Sequence, residues 1–348
     1  MSTHWTKQSV SRPDQNCIEQ AKARQNCLTK PPGSLGQLEQ LAIRLSGLLG
    51  EMPSVDKTAI TIFAGDHGVA KEGVSAFPQV VTGEMVKNFS AGGAAICVLA
   101  RCLDADLEVV NLGTVNDPGA LPGVVDAKIA SSTANLSKTP AMEDSELELA
   151  LNAGFDAITR AAASGTTLFI GGDMGIANTT SATALGCAFT GCTAVELTGP
   201  GTGLNAEGVA HKAGIVTEAM TLHESALSDP LETLRCLGGF EIAALTGAYI
   251  RAAQVGIPVL VDGFIASSAA LAAVRINPDV SHWLFLSHCS AEPGHQKMVD
   301  ALGLQPLIDL GMRLGEGSGA AVTVPLLRMA CRLHNEMATF AQAGVSEQ

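Results

Sequence analysis

The sequence predicts an α/β fold in which a parallel β-sheet is flanked by helices, as in Rossmann-like domains. Apolar, β-branched runs recur along the chain, and each ends in a small or polar loop that precedes a helix-compatible segment. These runs are almost continuously apolar, as a parallel sheet covered on both faces requires. The 37 glycines suit the tight turns between strands and helices of such a fold.

Five apolar runs predict five strands, and the loops after them are expected at the sheet edge where α/β proteins bind ligands. The predicted strands are Thr58–Phe63, Asp106–Leu112, Thr166–Ile170, Ile257–Val261 and His282–Leu286. The predicted helices between them are Gly83–Leu103, Asp144–Ser164, Asn178–Phe189, Asn205–Leu222, Phe240–Val255 and Ile265–Ile276. The segment Leu121–Pro140 is rich in Ala, Ser, Thr and Pro, which predicts a surface loop.

The two chain ends are predicted to be helical and to form a small domain together. Ile18–Asn26 and Leu35–Leu49 are predicted helices joined by a Lys-Pro-Pro-Gly turn, and Ala320–Ala343 is predicted as one further helix. We therefore expect residues 1–55 and 311–348 to contribute to a small helical domain. Residues 56–310 are expected to form the α/β domain.

Composition limits the classes of protein to which the chain can belong. The net charge of −13 argues against a broad nucleic-acid surface, which needs clustered Lys and Arg. The first residues lack the apolar run of a signal peptide, and no stretch approaches the ~18 uninterrupted apolar residues of a membrane span. The nine cysteines include no CxxC pair, so reduced thiols are expected. We predict a cytoplasmic protein without a membrane or nucleic-acid partner.

Two glycine-rich loops are candidates for binding an anion. The loop at the start of Gly171–Ala182 follows a strand and opens a helix, whose free N–H groups favour a phosphate. An ordinary glycine-rich turn explains that segment equally well. A second loop, in Thr198–Lys212, ends with a lysine that is able to pair with the same phosphate, although a solvated helix lysine is the simpler interpretation of this segment alone.

Three other reactive side chains at strand ends are interpreted as structural. Asp66 and His67 follow the first strand, and a hydrogen-bonded brace is favoured over a metal site because no three-ligand set can be assembled from the eight histidines. Cys289 is interpreted as an inert thiol because no base is assigned to it. No metal is predicted.

Glu316 is a single carboxylate in a run of glycines, which is a poor helix former. It is either a loop residue that faces water or a carboxylate that the loop brings to a ligand. Phe77 and Met85 lie on a helix-compatible segment and are either core residues or the walls of an aromatic slot.

Seven segments in the same order along the chain resemble one enzyme family. They are Lys30–Glu39, Ala64–Val86, Gly172–Thr180, Gly199–Leu204, Asp262–Ala270, Ser287–His295 and Asp309–Ala321. They look like the nicotinate-nucleotide:5,6-dimethylbenzimidazole phosphoribosyltransferases of cobalamin biosynthesis. The resemblance implies transfer of phosphoribose from nicotinate mononucleotide to a benzimidazole without a cofactor, a catalytic α/β domain, and a homodimer.

The resemblance also implies site residues. The general base of the family corresponds to Glu316. Asp173, which stands where many members have Glu, one methylene longer, is the second implied catalytic residue, and it either assists the reaction or braces the ribose hydroxyls. The implied phosphate and ribose contacts are Gly175, Asn178, Thr179, Gly201, Gly203, Lys212, Gly263 and Ser290. The implied base pocket consists of Phe77, Met85 and Leu314.

Burial of Glu316 is expected to raise its pKa, and a helix start just after Ser318 is expected to lower it. The sequence leaves open two other functions, a non-catalytic nucleotide-binding or sensing protein and a nicotinate mononucleotide glycohydrolase. It also leaves open which aromatic base is preferred.

Overall fold

The computed structural model describes residues 3–346 and contains one parallel sheet of seven strands. The strands are β1 (Thr58–Gly65), β2 (Asp106–Gly113), β3 (Val124–Asp126), β4 (Leu168–Met174), β5 (Val259–Val261), β6 (Leu284–His288) and β7 (Pro306–Ile308). Their order in the sheet is β3-β2-β1-β4-β5-β6-β7. The parallel, Rossmann-like sheet predicted from the sequence is therefore confirmed.

Helices cover both faces of this sheet. The α-helices are α1 (Gln15–Cys27), α2 (Gln37–Leu49), α3 (Val80–Ser90), α4 (Ala95–Leu103), α5 (Asp144–Ala163), α6 (Asn178–Thr190), α7 (Ala194–Leu197), α8 (Ala206–Leu222), α9 (Pro230–Leu237), α10 (Phe240–Val255), α11 (Phe264–Ile276), α12 (His295–Leu302), α13 (Ser318–Glu336) and α14 (Phe340–Ala343). Short 3₁₀ helices lie at Thr3–Lys7, Gly68–Glu72, Glu224–Ala226 and Pro278–Trp283.

The core has two halves because successive side chains of a strand point to opposite faces of the sheet. On β1, Ala59 and Phe63 face the half that contains residues of α5, α10 and α11. Ile60 and Ile62 face the other half, with residues of α2, α4 and α13. All eight residues of β1 are buried, as its continuous apolar run predicted.

The chain ends contact each other. Arg24 of α1 donates hydrogen bonds to the carbonyl oxygens of His334 and Asn335 at 2.6 and 2.9 Å. An isolated antiparallel bridge joins Leu28 to Thr339. Helix α13 also shares a core with β4 and β6, so the terminal helices pack against the sheet. The division into domains at residues 55 and 310 stays a prediction.

Two predicted helices are interrupted. Gly83–Leu103 is two helices, α3 and α4, because the chain turns at Gly92, whose φ of 76° lies in the left-handed region. The C-terminal segment is also divided, since α13 ends at Glu336 and Met337 is extended. Thr339 then caps α14 and forms the bridge to Leu28.

The surface-loop prediction for Leu121–Pro140 is wrong in part. Val124–Asp126 pairs with β2 as an edge strand, and Thr133, Leu136 and Ser137 are buried. The strand β7 was not predicted either. Both strands have only three residues, and neither lies in a longer apolar run such as Ile257–Val261, which marked the equally short β5.

Within residues 3–346, one stretch, Val80–Leu103, has the length and apolar composition of a membrane span. It consists of the separate helices α3 and α4, which contact β1 and β2. A core helix of a soluble protein passes the same composition test. The absence of a membrane partner stays a prediction.

Candidate active site

The order of the strands indicates at which edge of the sheet a ligand binds. The chain runs outward from β1 to β3 and then returns to the other side of β1 with β4. Ligands of open α/β sheets bind beyond the carboxyl ends of the strands at such a reversal. A cavity of about 370 Å³ lies there and is lined by residues from the loops after β4, β5 and β6 and from the segment before α13.

The cavity brings together nearly all the predicted site residues. Those that line it are Phe77, Met85, Asp173, Gly175, Asn178, Thr179, Gly201, Gly263, Ser290, Leu314 and Glu316. Gly203 and Lys212 are the two predicted residues that are not part of the lining. Segments separated by more than two hundred residues therefore meet at one sheet edge.

The loop after β4 forms one wall. Asp173 is buried at the end of the strand, and its Oδ2 accepts a hydrogen bond from Asn178 Nδ2 at 3.0 Å. Asn178 is the first residue of α6, so the side-chain contact joins the strand end to the helix start. Burial, followed by the nearby charges of Asp262 and Glu241, raises the pKa of Asp173 well above its usual range.

Lys212 lies behind this wall. Its Nζ donates a hydrogen bond to Thr179 Oγ1 at 2.6 Å and another to the Gly199 carbonyl oxygen at 3.4 Å. Because the lysine ammonium has only donors, the hydroxyl proton of Thr179 must point elsewhere. Burial lowers the pKa of Lys212 to about 8, against the opposing charge of Glu292. The lysine therefore acts on the cavity through Thr179.

Glu316 lies in a loop with unusual backbone geometry. Gly315, Glu316 and Gly317 have φ values of 84°, 62° and 78°. The left-handed region costs a residue other than glycine about 1–2 kcal/mol, so tertiary contacts must hold Glu316 there. One such contact is with β4, where a Cβ on Gly172 would lie 2.5 Å from the Glu316 carbonyl oxygen. Glycine at position 172 lets the two backbones approach.

The Glu316 carboxylate is buried in the cavity wall. Its Oε2 accepts a hydrogen bond from the backbone N–H of Ile96, in the first turn of α4, at 3.4 Å. Burial raises the pKa of Glu316; the Ile96 hydrogen bond opposes this rise, and the charge of Asp262 adds to it. The net direction is upward, as expected from burial, and the helix start that opposes it is that of α4.

The loops after β5 and β6 close the other side. Gly263 and Ser290 line the cavity, with Ser290 held by a hydrogen bond from its backbone N–H to His295 Nδ1 at 2.9 Å. Burial lowers the pKa of His295 to about 4, so the ring is neutral and its Nε2 carries the proton toward Ser267 Oγ, 3.0 Å away. His295 thus fixes the loop that carries Ser290.

The mouth of the cavity is apolar. Phe77 is 53% exposed and Leu314 is 59% exposed, while Met85 is half-buried. Met85 lines the cavity and also packs against the half of the core that contains residues of α2, α4 and α13. Met174 and Ile176 add apolar surface from the loop after β4.

The comparisons with known proteins agree with this geometry. A family model described as a phosphoribosyltransferase matches residues 10–345. The chain belongs to this phosphoribosyltransferase family. It is 57% identical, over 100% of this chain and 99% of the relative, to the nicotinate-nucleotide–dimethylbenzimidazole phosphoribosyltransferase of Pseudomonas putida. It is 58% identical to the enzyme of the same name from Xanthomonas euvesicatoria, with both chains covered completely.

A solved structure of the family is also similar. The nicotinate-nucleotide–dimethylbenzimidazole phosphoribosyltransferase from Thermus thermophilus superimposes with a TM-score of 0.91 at 43% identity. The match covers 96% of this chain and 100% of that chain. The similarity therefore includes the whole fold and the sheet edge that carries the cavity.

Sequence reasoning did not single out four side chains that line the cavity. Asp262, His288, Glu292 and Arg313 all line the cavity. Asp262 directly follows an apolar strand run, and His288 ends another, so strand-end position was a usable signal. Glu292 and Arg313 do not directly follow a strand run, but both lie within segments that resemble the family, which was the available signal.

The structural interpretations of Asp66 and His67 are confirmed. Asp66 is fully buried and accepts hydrogen bonds from Thr82 Oγ1 and the Val115 N–H at 2.7 and 2.8 Å. The His67 ring lies 2.7 Å from Glu241 Oε1 through Nε2 and 3.0 Å from Ser181 Oγ through Nδ1. Both residues join the loop after β1 to neighbouring elements.

The inert interpretation of Cys289 agrees with its surroundings. The thiol is half-buried, and burial followed by the charge of Asp309 raises its pKa. A raised pKa disfavours the thiolate, which is the reactive form. Among residues 3–346, no group of three or more His, Cys, Asp or Glu side chains is arranged to hold a metal.

Proposed function

We propose that this phosphoribosyltransferase transfers phosphoribose from nicotinate mononucleotide to 5,6-dimethylbenzimidazole. The products are α-ribazole 5′-phosphate and nicotinate, in the biosynthesis of cobalamin. The observation that carries the proposal is one cavity with a buried carboxylate, Glu316, an apolar mouth and a glycine-rich helix start. The family membership and the names of the full-length relatives support it.

The chemistry places specific demands on these groups. A benzimidazole nitrogen attacks the anomeric carbon, the new C–N bond forms with inversion, and the bond to the pyridinium nitrogen breaks. The electron pair of that bond neutralises the pyridinium, so the leaving group needs no proton. The benzimidazole becomes cationic, and its remaining N–H becomes acidic. Glu316 accepts that proton, a contribution of about 10²–10⁴ in rate for a positioned base.

The phosphate end of the substrate is assigned to the start of α6 and the neighbouring loop. Thr179 and Gly201 line the cavity, and Asn178 begins the helix, whose positive N-terminal end favours an anion. Lys212 supplies positive charge from behind Thr179. Gly203 belongs to the same loop outside the lining and is proposed to permit its turn, since its φ is 113°.

The base end is assigned to the apolar mouth. Phe77, Met85 and Leu314 offer a slot for a flat aromatic ring, with Glu316 on the same cavity wall. Gly263 and Ser290 are proposed to contact the ribose phosphate from the loops after β5 and β6. Asp173 is proposed to hydrogen-bond the ribose, because its raised pKa favours a neutral carboxyl that donates as well as accepts.

We also propose that the protein is a cytoplasmic homodimer. All nine cysteines lie within residues 3–346 and are free thiols, as in reducing compartments. Leu310 and Val195 are 61% and 80% exposed and lie outside the cavity lining, so these apolar side chains are available for a subunit contact. Light scattering tests the assembly: a mass of one chain at micromolar concentration would contradict the dimer.

The activity is tested by product analysis. Purified protein is incubated with nicotinate mononucleotide and dimethylbenzimidazole in excess chelator, and nicotinate and α-ribazole 5′-phosphate are quantified. Both products are expected in equal amounts. Ribose 5-phosphate formed without added base would indicate a glycohydrolase instead, and binding without turnover would indicate a nucleotide sensor. Relative rates with a panel of benzimidazoles and purines identify the preferred base.

A further inference from the structure

Asp262 is a buried carboxylate at the carboxyl end of β5 whose contacts reach the Glu316 loop. Its side chain is almost wholly inaccessible, with a relative exposure of 1%. Oδ1 accepts a hydrogen bond from the Ala320 N–H at 2.8 Å, and Oδ2 accepts one from the Gly317 N–H at 3.2 Å. The two donors lie on either side of the start of α13, one residue and four residues after Glu316.

These contacts replace a missing helix cap. The N-cap of α13 is Gly317, which has no side chain to accept from the free N–H groups of the first turn. Capping by Asp normally comes from the N-cap residue itself. Here the carboxylate comes from a strand 55 residues earlier in the chain. The cap therefore fixes the helix start relative to the sheet.

The contacts of Asp262 also hold Glu316, whose backbone lies in the left-handed region. Glu316 has a φ of 62° and immediately precedes the capped residue, so any shift of Gly317 changes the direction of the Glu316 side chain. Asp262 and Gly172 contact this loop from β5 and β4 respectively. The loop is thus anchored to two strands of the sheet.

We propose that Asp262 is a positioning residue for the reaction, which holds Glu316 in place through the N-terminus of α13. This inference rests on the proposed role of Glu316 as the base. The other titratable side chains that line the cavity are Asp173, His288, Glu292 and Arg313. His288 Nδ1 lies 3.8 Å from Asp262 Oδ1, and the charge of Asp262 contributes to the raised pKa of Glu316.

The test is Asp262→Asn, which keeps the size of the side chain and one oxygen acceptor but removes the charge. Turnover is expected to fall about 10²-fold, the effect of displacing a reacting group by roughly 1 Å. Binding of nicotinate mononucleotide by calorimetry is expected to stay within about threefold, because the phosphate loops are untouched. The acid limb of the pH profile, where turnover falls as the pH decreases, is expected to move to lower pH. The reason is that the negative charge of Asp262 near Glu316 is lost.

The matched control is Asp309→Asn, an exposed acid in the segment before Glu316 that accepts only from the Gly311 N–H. It is expected to change neither turnover nor the acid limb. If Asp262→Asn fails to fold, Asp262→Ser, which keeps one acceptor, is measured in its place with the same expectations. Wild-type turnover, or a loss of turnover with the acid limb unmoved, would overturn the positioning role. Loss of activity in Glu316→Gln with Asp262 intact separates this result from the base assignment itself.

Discussion

The carboxylate of Glu316 accepts a hydrogen bond from the backbone N–H of Ile96, with 3.4 Å between Oε2 and the amide nitrogen. Ile96 is in the first turn of α4, so the acid meets the positive end of a helix that lies 220 residues earlier in the chain. The N–H groups at the start of its own helix, α13, are bound instead by Asp262. The pKa of Glu316 thus depends on burial, on the start of α4 and on Asp262, which binds the start of α13.

Replacing Glu316 by Gln is expected to lower turnover about 10²–10⁴-fold, because an amide cannot accept the benzimidazole proton. Binding of nicotinate mononucleotide should be retained, since the phosphate loops belong to other elements. Steady-state kinetics and calorimetry measure the two effects. Glu336→Gln, an exposed acid at the far end of α13, is the control and should leave turnover unchanged. Unchanged turnover in Glu316→Gln would remove this residue from the base role.

Turnover is expected to fall on the acid side with an apparent pKa above 4.5, the ordinary value for glutamic acid. Burial raises the pKa of Glu316, and only the carboxylate form accepts a proton, so activity is present above the raised pKa and is lost as the pH falls through it. The profile of kcat against pH measures the limb. The pH profile of the residual activity of Glu316→Gln is the control, because it reports protonation of the benzimidazole itself. If this variant loses activity over the same pH range as the wild type, the loss does not come from protonation of Glu316.

The KM for nicotinate mononucleotide is expected to rise above pH 8. Burial lowers the pKa of Lys212 to about 8, so the ammonium loses its proton above that pH and attracts the phosphate less. The rise should approach about tenfold per pH unit, one proton per binding event. KM measured from pH 7 to 10 gives the slope.

Lys212→Met should bind the nucleotide more weakly at pH 7 and show no such slope. Lys138→Met is the control: this lysine is exposed, paired with Glu218 at 3.6 Å and outside the cavity lining, and its loss should alter neither KM nor its pH dependence. A slope that persists in Lys212→Met would assign the titration to another group.

Gly172→Ala is expected to displace the Glu316 loop. The added Cβ would lie 2.5 Å from the Glu316 carbonyl oxygen, which requires the loop or the strand to move. Overpacking of this kind costs about 1–3 kcal/mol in the free energy of unfolding. Turnover should fall about 10²-fold because the carboxylate shifts.

The matched variant is Gly214→Ala, at an exposed position of α8 where an added Cβ meets no atom within 4 Å. Alanine favours a helix interior over glycine by about 1 kcal/mol, so this variant should be slightly more stable and fully active. Denaturant unfolding and steady-state kinetics distinguish the two. Full activity in Gly172→Ala would show that the loop tolerates the contact.

The sequence alone determined the fold class and the positions of five of the seven strands. Their apolar runs are continuous because both faces of a parallel sheet are buried, and this local property is readable without the structure. It also named Glu316 and the phosphate loops, through motifs in a fixed order. It failed at Gly83–Leu103 and Ala320–Ala343, where Gly92 and the bridge at Thr339 interrupt segments of suitable composition.

Only the tertiary structure decided how these residues act on one another. The pairing of Lys212 with the phosphate stays a prediction, and it is packing that places the lysine ammonium against Thr179 Oγ1. Asp262 begins one of the segments that resemble the family, but its contact with the start of α13 arises only because β5 ends beside that helix. The pKa of Glu316 depends on burial and on Ile96, contacts between segments far apart in the chain. Sequence patterns indicate the local backbone preference and which face of a strand or helix is apolar. Hydrogen bonds between distant loops form only when the sheet has brought those loops together.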